Sequence, residues 1–354
     1  MSTLGLVSGL EPLVGSLRRE NRPIMLYGMG NGAEKIYAYL TARGVKISGV
    51  VASEGFLRGQ SFLGFPVLGI PEAAARFGSL CLVVCFGTEG ERSRFLYDLR
   101  GRHRVVSPNL PVFGGGAMDA EYIAAEHERL DRTRALLCDD ISRRIFDSLV
   151  AYNYTGDIDF IKDSHCFTPP DGFFRGGVHI DIGAYDGDTA LEYARKSADY
   201  DEIIAFEPDK TAFSRLAKRP LPRLRCKNLL VGNVNGVVGF ASGRGRASHM
   251  GAGEGIQCVT VDGFCGYNRI GDKGLPVNSI KIDAEGADEA VLEGAANTLF
   301  CRRPAVCVAV YHRAEDIVRF PAMLSAINYK YKFYIRRKEY VPAWDVFLYA
   351  IPEE

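Results

Sequence analysis

Two segments of this chain run an apolar, strand-like stretch straight into a glycine-rich turn and then into a helix-like stretch. The first is Pro23-Ile-Met-Leu-Tyr-Gly-Met-Gly-Asn-Gly-Ala-Glu34, and the second is Val178-His-Ile-Asp-Ile-Gly-Ala-Tyr-Asp-Gly-Asp-Thr189. Further strand and helix alternation follows each one, the pattern of a parallel, doubly wound α/β sheet. The 354 residues leave room for two such units. A composition of 47% apolar and 24% charged residues is enough to bury a core in both, which excludes disordered and fibrous classes.

After the first turn, strands are expected at 46–52 and 79–86 and helices at 71–77 and 89–100. Residues 104–116, with two prolines and three consecutive glycines, read as irregular chain. Residues 119–146 are rich in Ala, Glu, Arg, Leu and Asp and read as connecting helix, and 163–177 as a loop. In the second unit, strands are expected at 178–182, 202–206, 224–230, 278–283 and 304–311, with helices at 188–197, 210–218, 287–300 and 314–327. The runs 330–336 and 344–351 read as an antiparallel pair that closes a mostly parallel sheet. The organisation is therefore a Rossmann-like unit at 1–118, a helical linker at 119–165 and a larger α/β unit at 166–354.

Lys plus Arg and Asp plus Glu balance at 43 each, so no global field draws nucleic acid or an acidic membrane. The longest apolar run, Ala305 to Tyr311, is far short of the roughly 20 residues of a membrane helix. The first residues lack the basic segment of a signal peptide, and the nine cysteines include no C-x-x-C pair. These features lead us to expect a cytoplasmic protein with reduced thiols and no metal, working on a small molecule, with self-association open.

The second turn carries the chemistry. A dinucleotide pyrophosphate at this turn would meet Asp181, Asp186 and Asp188, which repel it. S-adenosylmethionine, with an ammonium, a sulfonium and no phosphate, suits such a turn. The next strand ends at Glu207, 26 positions beyond Asp181, where a carboxylate can accept both ribose hydroxyls. The plainer alternative makes Asp186 and Asp188 helix caps and Glu207 a surface charge.

The segments His179 to Thr189, Ala205-Phe-Glu-Pro-Asp209, Ser279-Ile-Lys-Ile-Asp-Ala-Glu-Gly-Ala-Asp288 and Val310-Tyr-His-Arg-Ala-Glu-Asp-Ile317 together resemble the FkbM-type S-adenosylmethionine-dependent methyltransferases, over about the C-terminal half. The resemblance implies a Rossmann-like class I methyltransferase domain that methylates an oxygen, often a sugar hydroxyl. It assigns to the cofactor the turn residues Asp181, Gly183, Ala184, Tyr185, Asp186, Gly187, Asp188 and Thr189. Glu207, Pro208, Asp209 and Asp283 join them. The chain departs from the family at Asp288, where Glu is usual, and on the fifth strand, which lacks an acid.

Removal of the acceptor proton calls for a base at the strand ends. Asp283 and Glu285 end one strand and His312 ends its neighbour, so the three can converge, with His312 as a base of near-neutral pKa. Lys281 projects to the side of Asp283 and either neutralises nearby carboxylates or meets substrate. His165 is a weaker candidate and His179 reads as strand packing. His249, after the loop 242–248, could cover the site, and Arg336-Arg337-Lys338 reads as an exposed strand cap. The first turn, Gly28-Met-Gly30-Asn-Gly32-Ala33, lacks a ribose acid after its next strand. It leaves open a nucleotide or nucleotide-sugar site, an NAD(P)-dependent oxidoreductase, or packing alone; a non-catalytic scaffold is the remaining alternative.

Overall fold

The computed structural model describes residues 2–111, 116–197, 199–241, 249–250 and 253–353, with the side chains of 249 and 250 excepted. The first turn belongs to a six-stranded sheet built from β1 (Ile24–Tyr27), β2 (Gly49–Ala52), β3 (Ser61–Phe62), β4 (Phe65–Gly69), β5 (Cys81–Val84) and, beyond a two-residue strand β6 (Thr88–Glu89), β7 (Arg104–Val106). Its order is β3-β4-β2-β1-β5-β7, parallel apart from the β3–β4 hairpin. Strands β1, β2 and β5 are buried throughout, as their unbroken apolar runs require.

The glycines of this first turn have a packing reason. A Cβ on Gly28, at φ +115°, would stand 2.8 Å from the Phe86 ring, and one on Gly32 would stand 2.6 Å from the Cys85 carbonyl oxygen. The turn is tight because strand β5 continues across it.

The second unit holds β8 (Gly177–Ile182), β9 (Tyr200–Phe206) and β10 (Leu224–Lys227), then an excursion of β11 (Leu230–Val231), β12 (Gly236–Ala241), β13 (His249–Met250) and β14 (Glu254–Val259). It resumes with β15 (Val277–Ile282), β16 (Ala305–Ala309), β17 (Tyr331–Arg337), β18 (Tyr340–Val341) and β19 (Val346–Pro352). The main sheet runs β10-β9-β8-β15-β16-β19-β17, with β19 antiparallel to both neighbours. The five expected strands and the closing hairpin are present. The expected run 224–230 divides into β10 and β11, and β16 stops at Ala309. The expected helix 287–300 is two helices, Asp288–Glu293 and Ala296–Arg302. They part at Gly294, where a Cβ would run into the Gly232 carbonyl. The four-stranded sheet β11-β14-β12-β13 has no counterpart in the sequence reading.

The connecting segment forms two helices, Ala120–Leu136 and Asp140–Thr155, and Asp139 starts the second by accepting the Ser142 N–H at 2.7 Å. One apolar cluster joins Met25 and Val84 of the first sheet, Phe146 and Leu149 of this helix pair, and Ile180 and Ile280 of the second sheet. The units also meet through β6 and β18, which pair Thr88 with Val341 and Glu89 with Tyr340.

Arg336 and Arg337 correct the expectation of an exposed cap, for both are buried. Around the end of β17, a helix end, a loop and β18 leave carbonyls that need donors. Arg337 supplies them to Ile161, Ser164 and Tyr340 at 3.0, 3.3 and 2.7 Å. Arg336 donates to the Thr168 carbonyl at 2.9 Å and pairs with Asp139 at 2.7 Å.

Candidate active site

Strand β8 ends in a turn that only glycine can begin. Gly183 has φ +75°, and a Cβ there would run into the Asp283 carbonyl of the adjacent β15 end. The N–H groups of Gly183 and Ala184 both donate to the Phe206 carbonyl at 3.0 Å, tying the turn to the end of β9. Tyr185 follows in the left-handed region at φ +48° and donates its N–H to Glu207 Oε2 at 2.8 Å. The Asp209 N–H donates to Glu207 Oε1, also at 2.8 Å. Glu207 is thus fixed by the backbone on both sides while facing a cavity. Burial pushes its carboxyl up to about 7, against those two hydrogen bonds.

The cavity opens at the ends of β8, β9, β15 and β16. Its apolar wall is Ile182, Phe206, Leu229, Leu230, Val231 and Phe240. The sequence reading named none of these six as site residues: Leu229 and Leu230 were read as the end of the strand 224–230, and Val231 and Phe240 lie in the unread excursion beyond it. The polar wall is Asp188, Thr189, Glu207, Lys281, Asp283 and Glu285, all singled out from sequence. Gly183, Tyr185 and Pro208 also line it, as expected. Tyr311, Lys338, Asp345 and Phe347 close the far side and were not expected.

Five residues assigned to the cofactor stand elsewhere. Asp181 is fully buried beneath the turn, accepts the Thr189 hydroxyl at 2.5 Å and faces Lys281 Nζ at 3.6 Å, so it holds cavity residues from behind. Asp186 turns to Arg219 at 3.0 Å. Ala184 packs in the core with Ala205 and Leu216. Gly187 supplies the left-handed N-cap of the next helix. Asp209 caps helix Lys210–Leu216, accepting the Thr211 and Ala212 N–H groups at 2.9 and 3.0 Å.

At the other end, Asp288 compensates for its departure from the family pattern. It accepts the Ala284 and Gly286 N–H groups at 2.7 and 3.1 Å, which holds the Asp283–Glu285 turn with Glu285 at φ +48°. Its Oδ2 also receives His312 Nδ1 at 2.8 Å, while His312 Nε2 stands 3.5 Å from both Asp283 Oδ1 and Glu285 Oε2. Burial alone would strip the proton from His312. The charge and hydrogen bond of Asp288, reinforced by Asp283 and Glu285, outweigh it and hold the imidazole up to about 10. These surroundings favour the imidazolium over the near-neutral base expected from sequence, and His312 is wholly buried behind Asp283 and Glu285. Lys281 Nζ lies 3.6 Å from both Asp181 and Asp283. Burial opposes its charge, and the two carboxylates together raise its pKa above the ordinary value. Tyr311 donates its hydroxyl to Asp283 at 3.3 Å.

Asp283, Asp288 and His312 each offer one ligand atom within 4.8 Å of the others, a spacing that a metal ion could span. Asp288 is already committed to two backbone N–H groups and the imidazole, the arrangement of a charge-paired histidine. His179 stacks on Tyr193 at 3.8 Å and bonds Ser279 at 2.8 Å, a packing residue as expected. His165 bonds only the Lys162 carbonyl among the hydrogen bonds described, at 3.2 Å. The loop 242–248 and the His249 side chain lie outside the described residues.

A mostly parallel sheet with an antiparallel last strand, carrying a glycine turn and an acid at the ends of its first two strands, is the fold of class I S-adenosylmethionine-dependent methyltransferases. Residues 181–333 match the model of the methyltransferase FkbM domain. The chain resembles the crystal structure of methyltransferase FkbM from Methylobacillus flagellatus, at 16% identity with a TM-score of 0.70, over 98% of each chain. It also aligns with precorrin-6y C5,15-methyltransferase from Geobacter metallireducens, at 11% identity with a TM-score of 0.31, over 50% of this chain and 80% of that one. No curated protein matches the chain in sequence. Residues 181–333 are thus a methyltransferase FkbM domain, of the kind that uses S-adenosylmethionine. No helix among the described residues is long and apolar enough to cross a membrane.

Proposed function

We propose that this protein is an O-methyltransferase that methylates a hydroxyl of a small molecule, a sugar or glycoside by family resemblance. The observation that carries the reading is Glu207, a buried carboxylate at the edge of an apolar slot. Its oxygens each take one backbone N–H and keep further lone pairs for ribose hydroxyls. Leu229, Val231 and Phe240 give the flat apolar faces an adenine needs, and Asp188 gives an acid for the ammonium. When bound, S-adenosylmethionine supplies an electrophilic methyl group.

Asp283 and Glu285 face the cavity and accept the hydroxyl proton, work that falls to them because His312 already holds its own. His312 acts through them: its Nε2, 3.5 Å from each, holds both carboxylates in place. Lys281 and Tyr311 orient Asp283 from two further directions.

The test is calorimetric titration with S-adenosylhomocysteine, paired with a radiolabelled methyl-transfer screen. Binding to the parent chain and its loss in Glu207→Ala support the reading. A parent chain that ignores S-adenosylhomocysteine sinks it.

A further inference from the structure

A second cavity shares Thr189, Lys281, Lys338 and Phe347 with the cofactor cavity. Its own walls are aromatic: Phe167, Phe173 and Phe174 from the segment before β8, Tyr193 from the helix Asp188–Lys196, and Tyr349 from β19. The rings meet mainly edge to face, with Phe173 centred 5.1 Å from Tyr349 and 6.2 Å from Tyr193, and Phe174 tilted 5.5 Å from Tyr193. Three of the polar groups beside these rings already have partners. His179 bonds Ser279 at 2.8 Å, Ser279 donates to the Tyr193 hydroxyl at 2.9 Å, and Glu192 pairs with Lys196 at 2.7 Å. A flat apolar ring lodged here would meet aromatic edges and faces, with Thr189, Lys281 and Lys338 at the side shared with the cofactor cavity.

We propose that this aromatic cavity is the acceptor subsite, and that it takes a flat apolar ring which bears, or is joined to, the hydroxyl to be methylated. The inference rests on the methyltransferase reading and narrows its acceptor. The shared wall gives the reason for the placement. Lys281 borders both cavities and lies 3.6 Å from Asp283, so a ring held against it directs its substituent toward the carboxylates that take the proton. Phe167 is 37% exposed and Phe174 half-buried, which places the entrance at the segment before β8.

The experiment uses the full chain saturated with S-adenosylhomocysteine and titrates it with 4-methylumbelliferone, a flat phenol, and with methyl β-D-glucoside, a sugar without an aromatic ring. The expected result is saturable binding of the phenol, tighter than that of the glucoside. Phe167→Ala and Phe174→Ala should each weaken the phenol about tenfold and leave S-adenosylhomocysteine affinity unchanged. Phe167 is a surface residue, so its variant keeps the test decisive if Phe174→Ala does not fold. The inference is overturned if the phenol fails to bind a chain that holds S-adenosylhomocysteine, if both variants bind it like the parent, or if the glucoside binds tighter. A parent chain that does not bind S-adenosylhomocysteine removes the methyltransferase reading, and this inference with it.

Discussion

His312 Nδ1 lies 2.8 Å from Asp288 Oδ2 with both side chains buried, and the same carboxylate accepts two backbone N–H groups of the turn that carries Asp283 and Glu285. One acid therefore sets both the charge of the histidine and the position of the carboxylates in front of it. Breaking this pair leaves an uncompensated buried charge, so Asp288→Leu should cost about 3–5 kcal/mol of stability in chemical denaturation. Asp288→Asn keeps the shape and lowers the His312 pKa. Its imidazole NMR signals should titrate within the neutral range, while those of the parent remain in the protonated form at pH 8.

The sign of the pH dependence follows from the same pair. The folded pKa of His312 is raised from an ordinary 6.5 to about 10, with Asp288, Asp283 and Glu285 facing the ring. Its contribution to stability is fully present below pH 6.5 and is lost as pH rises through 10. The denaturation midpoint of the parent should fall across that window more steeply than that of His312→Gln. Equal slopes would remove His312 as the titrating group.

Glu207 titrates in the opposite sense for the ligand. Its carboxyl, held up to about 7 by burial, must be ionised to accept ribose hydroxyls well. Affinity for S-adenosylhomocysteine should weaken as pH falls below 7, and Glu207→Gln should flatten the profile. Glu207→Ala should lose about 1–3 kcal/mol of binding free energy, read by calorimetry.

Gly183 has no room for a methyl group, because a Cβ would enter the Asp283 carbonyl and φ +75° is unfavourable for any side chain. Gly183→Ala should cost about 3 kcal/mol or more in stability, with loss of S-adenosylhomocysteine binding. Gly30, where a Cβ meets nothing within 4 Å, is the control for positive φ alone.

Arg337 should matter to folding although its neighbours on the chain are charged surface residue types. Removing its three carbonyl contacts and its volume through Arg337→Ala should cost about 3 kcal/mol or more, measured by urea denaturation. A midpoint equal to that of the parent would show that the contacts contribute nothing.

Much of the second sheet was legible in the sequence, since parallel strands buried on both faces leave apolar runs and glycine turns mark their ends. The cavity's Glu207, Asp188, Asp283 and Glu285 were legible for a related reason: each lies between the end of a strand and the first turn of the helix after it. The excursion that holds β11 to β14 was not legible, because Leu230 was absorbed into the strand before it and β12 and β14, each largely exposed or half-buried, carry no unbroken buried run.

The sequence by itself determined the α/β class, the order of the strands along the chain and the residues grouped at their ends, since periodicity and turn chemistry act over a few neighbouring positions. Tertiary structure alone decided which of those acids face the cavity. Asp181 and Asp186 were drawn to Lys281 and Arg219, and Asp209 to the N–H groups of its own helix, while Glu207 was left open. It also decided that the surroundings of His312 favour its protonated form. Charge depends on burial and on partners distant in sequence, and three carboxylates brought together around a buried ring outweigh the cost of removing it from water.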